Sequence, residues 1–251
     1  MSSSASADTG RLTPTGRPWL HPCRQRSRGS SSKAATIRPT SKSLGGESRR
    51  RWYAGRRTCM ALYSEAEMRQ RGRTILAGRN TTASAVLHAI AQRTSDEDEF
   101  DIFLSHSYSD AEAILGVYRM FTSQGRSVYV DWIVDDALHR ERVDGSTAAL
   151  LRQRMNQSLS LIYVISATSR SSLWMPWELG YFDGHNGAVG IMKLKGPQSN
   201  YPGQEYLELY PAIEDLPMTG EPGRRVTGAV RPDRSRAVTL ETFTRGGLSP
   251  I

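Results

Sequence analysis

The sequence predicts an α/β protein, a parallel β-sheet with helices on both faces. Two observations carry this. Short apolar runs alternate with helical stretches of about 10–15 residues, the spacing of strand–helix–strand crossover units. The runs are also nearly continuous in apolar side chains, which fits strands buried on both sides.

The elements follow in order. Tyr63 to Leu76 mixes strong helix formers with few breakers, and Gly78-Arg79-Asn80 interrupts. Thr81 or Thr82 then caps a second helix through Ile90. Ser95-Asp96-Glu97-Asp98-Glu99 is a charged boundary and reads as a solvated linker. Phe100 to Ser105 is the first buried strand. Over 110–123, Ala113, Ile114, Val117, Tyr118 and Phe121 recur at the helical period, and Gly125 stops the helix. Val128 to Trp132 is the second strand. Residues 133–145, with Asp135, Asp136, Arg140, Glu141, Arg142 and Asp144, form a long loop. A helix over 146–157 aligns Leu150, Leu151 and Met155. Leu159 to Ile165 is the third strand, 173–183 a helix and Ala188 to Leu194 the fourth strand. Tyr201 to Tyr210 is a short helix or an ordered loop. Residues 219–236 are Gly/Pro/Arg-rich and irregular, and Ala237 to Phe243 is a last edge strand. The domain reading is a leader at 1–60, a helical extension and linker at 61–98, an α/β domain at 99–217 and an irregular tail at 218–251.

Charge and cysteines narrow the function classes. The net charge of +8 is unevenly spread: residues 1–60 hold 13 Lys/Arg against 2 Asp/Glu, and the rest holds 20 against 23. The basic character therefore belongs to the leader. A nucleic-acid-binding domain would carry it on the fold, so no nucleic-acid partner is expected. The leader is a disordered basic tail, a targeting peptide, or a stretch before a true start at Met60. Arg49-Arg50-Arg51 is followed by no apolar run, so it is not read as a twin-arginine export signal. Cys23 and Cys59 both precede Met60, leaving the patterned part without a thiol. No run approaches the ~18 apolar residues of a membrane span. A cytoplasmic protein without a membrane partner is the expectation.

In a doubly wound sheet, ligands bind beyond the carboxyl ends of the strands. Three strands here end in Ser105-His106-Ser107, Asp131-Trp132 and Ser166. Between Ser172 and Gly180, Glu178 is the lone carboxylate in an apolar stretch with Trp174 and Trp177. Burying a charge there is costly unless compensated, so Glu178 is either structurally paired or chemically employed. Pro176 is tolerated only near a helix start, which puts Glu178 in or near the first turn. There the helix dipole favours its ionised form, and it either satisfies the helix's own N–H groups or serves a ligand. Trp174 lies four residues earlier on the same face. Asp131 either holds a ribose hydroxyl or caps the next loop. Ser105-His106-Ser107 with Asp110 suggests a nucleophile and base. The strained G-x-S-x-G turn is absent, however, and a strand end followed by a helix cap is the simpler reading. There is no phosphate cradle. His88, His106, His139 and His185 lack metal-ligand spacing, so no metal is expected.

Three segments in order then carry a resemblance. Glu99-Phe100-Asp101-Ile102-Phe103-Leu104-Ser105-His106-Ser107 through Asp110, Val128-Tyr129-Val130-Asp131, and Ser172-x-Trp174-x-x-x-Glu178-Leu179 resemble Toll/interleukin-1 receptor (TIR) domains. Trp174 to Gly184 with Gly203-Gln204-Glu205-Tyr206-Leu207 is similar to a bacterial stand-alone subgroup. The resemblance spans residues 61–215 and implies a flavodoxin-like sheet. It also implies cleavage of NAD+ at the nicotinamide–ribose bond, with cyclisation of ADP-ribose in some members. It maps the catalytic glutamate onto Glu178 and the loop after the second strand onto 133–145. Ser105, His106, Asp131, Trp132 and Trp174 become the candidate contacts for the dinucleotide. Met175 stands where the family usually has cysteine. NAD+ is then the substrate, with no separate cofactor, and other TIR domains or further copies of the chain are the partners. The chemistry suits a lone carboxylate: nicotinamide leaves as a neutral molecule from a pyridinium, so no general acid is needed. The expectation is an NAD+ glycohydrolase or ADP-ribosyl cyclase of bacterial defence or signalling. The alternatives are a non-enzymatic adaptor assembling through its helices and the 133–145 loop, and a nucleoside hydrolase or transferase on the same fold.

Overall fold

The computed structural model describes residues 62–131, 145–196, 204–218 and 220–248. The leader, Trp132, His139, Gly203 and all of the 133–145 loop but Gly145 lie outside the described residues. The elements run β1 (Tyr63–Ser64), α1 (Glu65–Leu76), α2 (Ala83–Ala91), β2 (Ile102–Ser105), α3 (Ala111–Ser123), β3 (Val128–Val130) and α4 (Gly145–Asn156). They continue as β4 (Leu161–Ile165), α5 (Trp174–His185), β5 (Val189–Lys195), β6 (Ala212–Pro217), β7 (Arg225–Val230), β8 (Ala237–Thr239) and α6 (Leu240–Thr244).

The sheet order is β3-β2-β4-β5-β6-β7-β8. β2 pairs in parallel with β3 and β4, β4 with β5, and β5 with β6. β7 and β8 add antiparallel, and β1 pairs with the end of β5 at Leu194 and Lys195. The five parallel strands from β2 to β6 therefore have the flavodoxin-like order, in which the chain leaves β2 first to one side and then to the other.

Strand periodicity splits the core into two layers. On β2, Ile102 and Leu104 join Met68, Leu87, Ile114, Val117 and Phe121 on the α1, α2 and α3 face. Phe103 joins Tyr129, Tyr163, Met155, Met175, Leu179 and Phe182 on the α4 and α5 face. Successive side chains of a strand point to opposite faces, so a strand covered on both sides is apolar at every position.

Thr82 caps α2 by accepting the Ala85 N–H at 3.1 Å, and Gly125 ends α3 with a φ of 76°. The Ser95–Glu99 boundary is a largely exposed link, as read, and is tied to α4: Arg154 Nη1 donates to Ser95 O at 2.7 Å, and Gln157 Nε2 donates to the carbonyls of Asp96 and Asp98. Three local readings are corrected. The 219–236 stretch is not irregular throughout, because Arg225–Val230 forms β7 against β6 and buries Ala229 and Val230. The last strand stops at Thr239, whose hydroxyl accepts the Thr242 N–H at 3.3 Å and turns the chain into α6. Tyr63 begins a short strand and not a helix. Among the described residues no helix is long and apolar enough to cross a membrane.

Tyr63 ties this edge to β7, its hydroxyl lying 2.7 Å from Thr227 Oγ1. Burial pushes that hydroxyl up to about 12, with the Thr227 hydrogen bond opposing. An unfolded phenol ionises near 10, so stability is intact below pH 10 and falls as pH rises toward 12. Urea titrations at pH 9 and pH 11 should show Tyr63→Phe losing about 1 kcal/mol less than wild type over that interval. Equal losses in the two proteins would remove Tyr63 from the alkaline transition.

Candidate active site

The switch point lies at β2, whose neighbours β3 and β4 are reached on opposite sides. In sheets of this kind ligands bind at that point, beyond the carboxyl ends of the strands. The polar residues that end β2, β3 and β4 are all buried: Ser105 and His106, Asp131, and Ser166.

Glu178 comes to this edge from α5. Ser172 Oγ accepts the Met175 N–H at 3.3 Å and starts the helix, and Pro176 is its third residue, where a missing N–H costs little. Met175, Leu179 and Phe182 face the core at helical spacing, and Glu178 shares their buried flank at 2% exposure. Ser105 follows Phe103 onto the same face of the sheet. Its Oγ donates to Glu178 Oε2 at 2.5 Å. Sequence reasoning left open a carboxylate serving its own helix; in the fold it takes a hydroxyl from another element, 73 positions away in the chain.

Two buried phenols share the α5 face. Burial, then the Asp131 carboxylate, and more weakly Glu178, hold the Tyr129 hydroxyl far above its ordinary range. Burial, then Tyr206 and Glu178, does the same for Tyr163. Both are neutral at physiological pH, and buried charges lie close to Tyr129: the Asp131 carboxylate and the Arg154 guanidinium, which opposes the shift.

The other sequence candidates take the following places. His106 Nδ1 lies 2.9 Å from Leu104 O, and since a carbonyl only accepts, Nδ1 carries the proton. Asp131 lies at the end of β3, close enough to Tyr129 to act on its phenol. Trp174 opens α5 and meets Trp177 edge-on at 5.4 Å. Trp177 stacks on Tyr181, Tyr181 stacks on His185, and the Arg152 guanidinium lies over Trp177. Trp174 thus heads a row of aromatic side chains along α5.

A second polar cluster was only partly legible. Asp110 occupies the N-cap position of α3 but makes no side-chain cap bond, which corrects its reading as a cap. Its carboxylate is completely buried and accepts the hydroxyls of Ser166 and Thr168 and, at 2.8 Å, Arg69 Nη2. Arg69 also donates to Glu65 Oε1 at 2.7 Å. The i,i+4 spacing of Glu65 and Arg69 is visible in sequence, but their meeting with Asp110 is not. Among the described residues no group of three or more His, Cys, Asp or Glu side chains is placed to hold a metal ion.

No family model matches the chain. It is 46% identical over 136 residues to a Bacillus cereus (strain MSX-D12) protein provisionally named 3′ cyclic ADP-D-ribose synthase ThsB′, a match covering 53% of this chain and 70% of that protein. It is 37% identical over 83 residues to a Cytobacillus dafuensis protein provisionally named cyclic ADP-D-ribose synthase TIR2. That second match covers 33% of this chain and 22% of the relative.

Proposed function

Because the chain belongs to the bacterial TIR-domain proteins, we propose that it breaks the nicotinamide–ribose bond of NAD+ and closes the ADP-ribose into a cyclic product. The observation that carries the reading is a buried glutamate, Glu178, held by the Ser105 hydroxyl at 2.5 Å at the carboxyl edge of a doubly wound sheet. Both relatives are named as cyclic ADP-D-ribose synthases, which favours ring closure over hydrolysis.

In this mechanism the C1′–N bond breaks and its electron pair leaves with nicotinamide, neutralising the pyridinium. The ribose develops oxocarbenium character. A fixed anion in a site of low dielectric stabilises that cation at the moment it forms. Glu178 is that anion. Ser105 orients it, and the phenols of Tyr129 and Tyr163, neutral at physiological pH, lie on the same face of the sheet. A hydroxyl of the adenosine ribose then bonds to C1′ and gives up its proton, and exclusion of water decides for this attack over hydrolysis. Asp131, His106, Trp132 and Trp174 are the further dinucleotide contacts of the proposal. It sets the enzyme in the cytoplasm, in antiviral defence signalling, and working as self-associated copies or with other TIR domains.

The test is incubation of the purified chain with NAD+ over a range of protein concentrations, followed by chromatography. Free nicotinamide and cyclised ADP-ribose in equal amounts are expected. Intact NAD+ in the presence of folded, concentrated protein would leave the adaptor role as the better account. Nicotinamide with only linear ADP-ribose would keep the glycohydrolase and remove the cyclase.

A further inference from the structure

Resting on the NAD+-cleaving reading, we infer that Asp110, clamped by Arg69, is a positioning residue that fixes the entry of α5 and thereby the Glu178 carboxylate. The basis is a polar chain that starts on α1 and ends on the connection carrying α5. Arg69 donates to Glu65 Oε1 from Nε at 3.0 Å and from Nη2 at 2.7 Å. The same Nη2 meets Asp110 Oδ1 at 2.8 Å. Asp110 Oδ2 accepts the hydroxyls of Ser166 and Thr168.

Ser166 and Thr168 open the segment between β4 and α5. Ser169 Oγ donates to Ser166 O at 2.9 Å, and the Ser166 N–H reaches Ser169 Oγ at 3.3 Å, so the segment is closed on itself as well as tied to Asp110. Glu178 is the fifth residue of the helix that follows. Anchoring at Ser166 and Thr168 therefore sets where the Glu178 carboxylate meets Ser105.

The charges explain why the anchor holds. An ionised aspartate only accepts, so both hydroxyls must turn their protons toward it, which fixes their rotamers. A completely buried carboxylate without a cation is strongly unfavourable, and Arg69 is the cation that meets it. Capping does not account for Asp110, because it makes no side-chain cap bond to α3. Arg69 itself remains partly exposed, with 28% of its side chain accessible, so it can be altered without opening the core.

The test is a double-mutant cycle in the full chain, read by nicotinamide release. Asp110→Asn keeps the size and one acceptor and removes the charge. Arg69→Met keeps the stem and removes the cation. Each should lower kcat about ten- to a hundredfold, the scale of a small misplacement of a catalytic group. KM for NAD+ should stay within about twofold. The double variant should be no slower than the slower single one, because both act through one anchor. Arg69→Lys should restore most of the rate. A purely structural role predicts a lower unfolding midpoint with unchanged kcat per folded molecule. That result, with an active wild type, overturns the positioning role and leaves the catalytic reading standing. An inactive wild type overturns both together. Should Asp110→Asn fail to fold, the comparison of Arg69→Met with Arg69→Lys decides alone: equal wild-type rates in those two overturn the proposal.

Discussion

Glu178→Gln should abolish nicotinamide release while leaving the protein folded. Glutamine has the shape of glutamate, and its carbonyl oxygen can still accept the Ser105 hydroxyl. What it lacks is the negative charge. If that charge stabilises the developing ribose cation, its loss should cost at least about a hundredfold in kcat, the scale seen when one preorganised electrostatic group is removed from a buried site. Glu178 is 2% exposed, and the isosteric amide keeps its packing, so the glutamine variant should stay folded under assay conditions. Nicotinamide chromatography and thermal melting on the same samples check both halves. Wild-type turnover in the glutamine variant would take Glu178 out of the mechanism. A variant that is inactive and also much less stable would reduce Glu178 to a structural group.

The parallel sheet was legible because both its faces are covered. Phe103 to Leu104 and Leu161 to Ile165 are apolar at every position, and no other common environment asks this of a short strand. The antiparallel end was not legible. Arg225–Val230 contains Arg225, Thr227 and Gly228 and is flanked by glycine and proline, so its apolar signal is weak. Gly228 is required there: a Cβ would lie 2.4 Å from the Val238 carbonyl oxygen of the neighbouring strand. A residue that reads locally as a breaker thus serves close strand approach.

The site divides along the same line. Glu178 stood out because a carboxylate in an aromatic stretch calls for a compensating partner. Ser105 stood out because it ends a strand. That they touch follows from Ser105 sharing the face of Phe103, which the period of two foretells once the sheet is known. The Asp110 cluster was hidden for a different reason. Its partners lie 41, 56 and 58 positions away, and the local pattern around Asp110 is that of a helix cap. Local propensity gives the position of such a residue, while tertiary contact decides where its side chain turns.

Gly116→Ala should be among the most destabilising single methyl additions in the chain, although alanine is the better helix former. α1 and α3 meet through two reciprocal contacts. A Cβ on Gly116 would lie 2.0 Å from the Met68 carbonyl oxygen, and one on Gly72 would lie 2.0 Å from that of Glu112. Met68 and Gly72 are one turn apart on α1, as are Glu112 and Gly116 on α3, so each helix presents a carbonyl to the other's glycine. The neighbour is backbone in both cases and cannot rotate aside, so the helices must separate. Separation loosens the layer that holds Met68, Ile114, Val117 and Phe121, at a cost of about 3 kcal/mol for overpacking a tight core. Helix propensity returns only about 1 kcal/mol. A net loss near 2 kcal/mol is expected by urea unfolding. Gly184→Ala supplies the control: that position is helical and exposed, with nothing within 4 Å of an added Cβ, so propensity alone should stabilise it. Gly72→Ala together with Gly116→Ala should cost less than the sum of the two, because one separation relieves both contacts. Equal shifts for Gly116→Ala and Gly184→Ala would mean that α1 does not pack this closely on α3. Arg69 follows Met68 directly on α1, so a helix displaced at Gly116 also draws the guanidinium away from Asp110, and the folded fraction of Gly116→Ala should turn over more slowly than wild type.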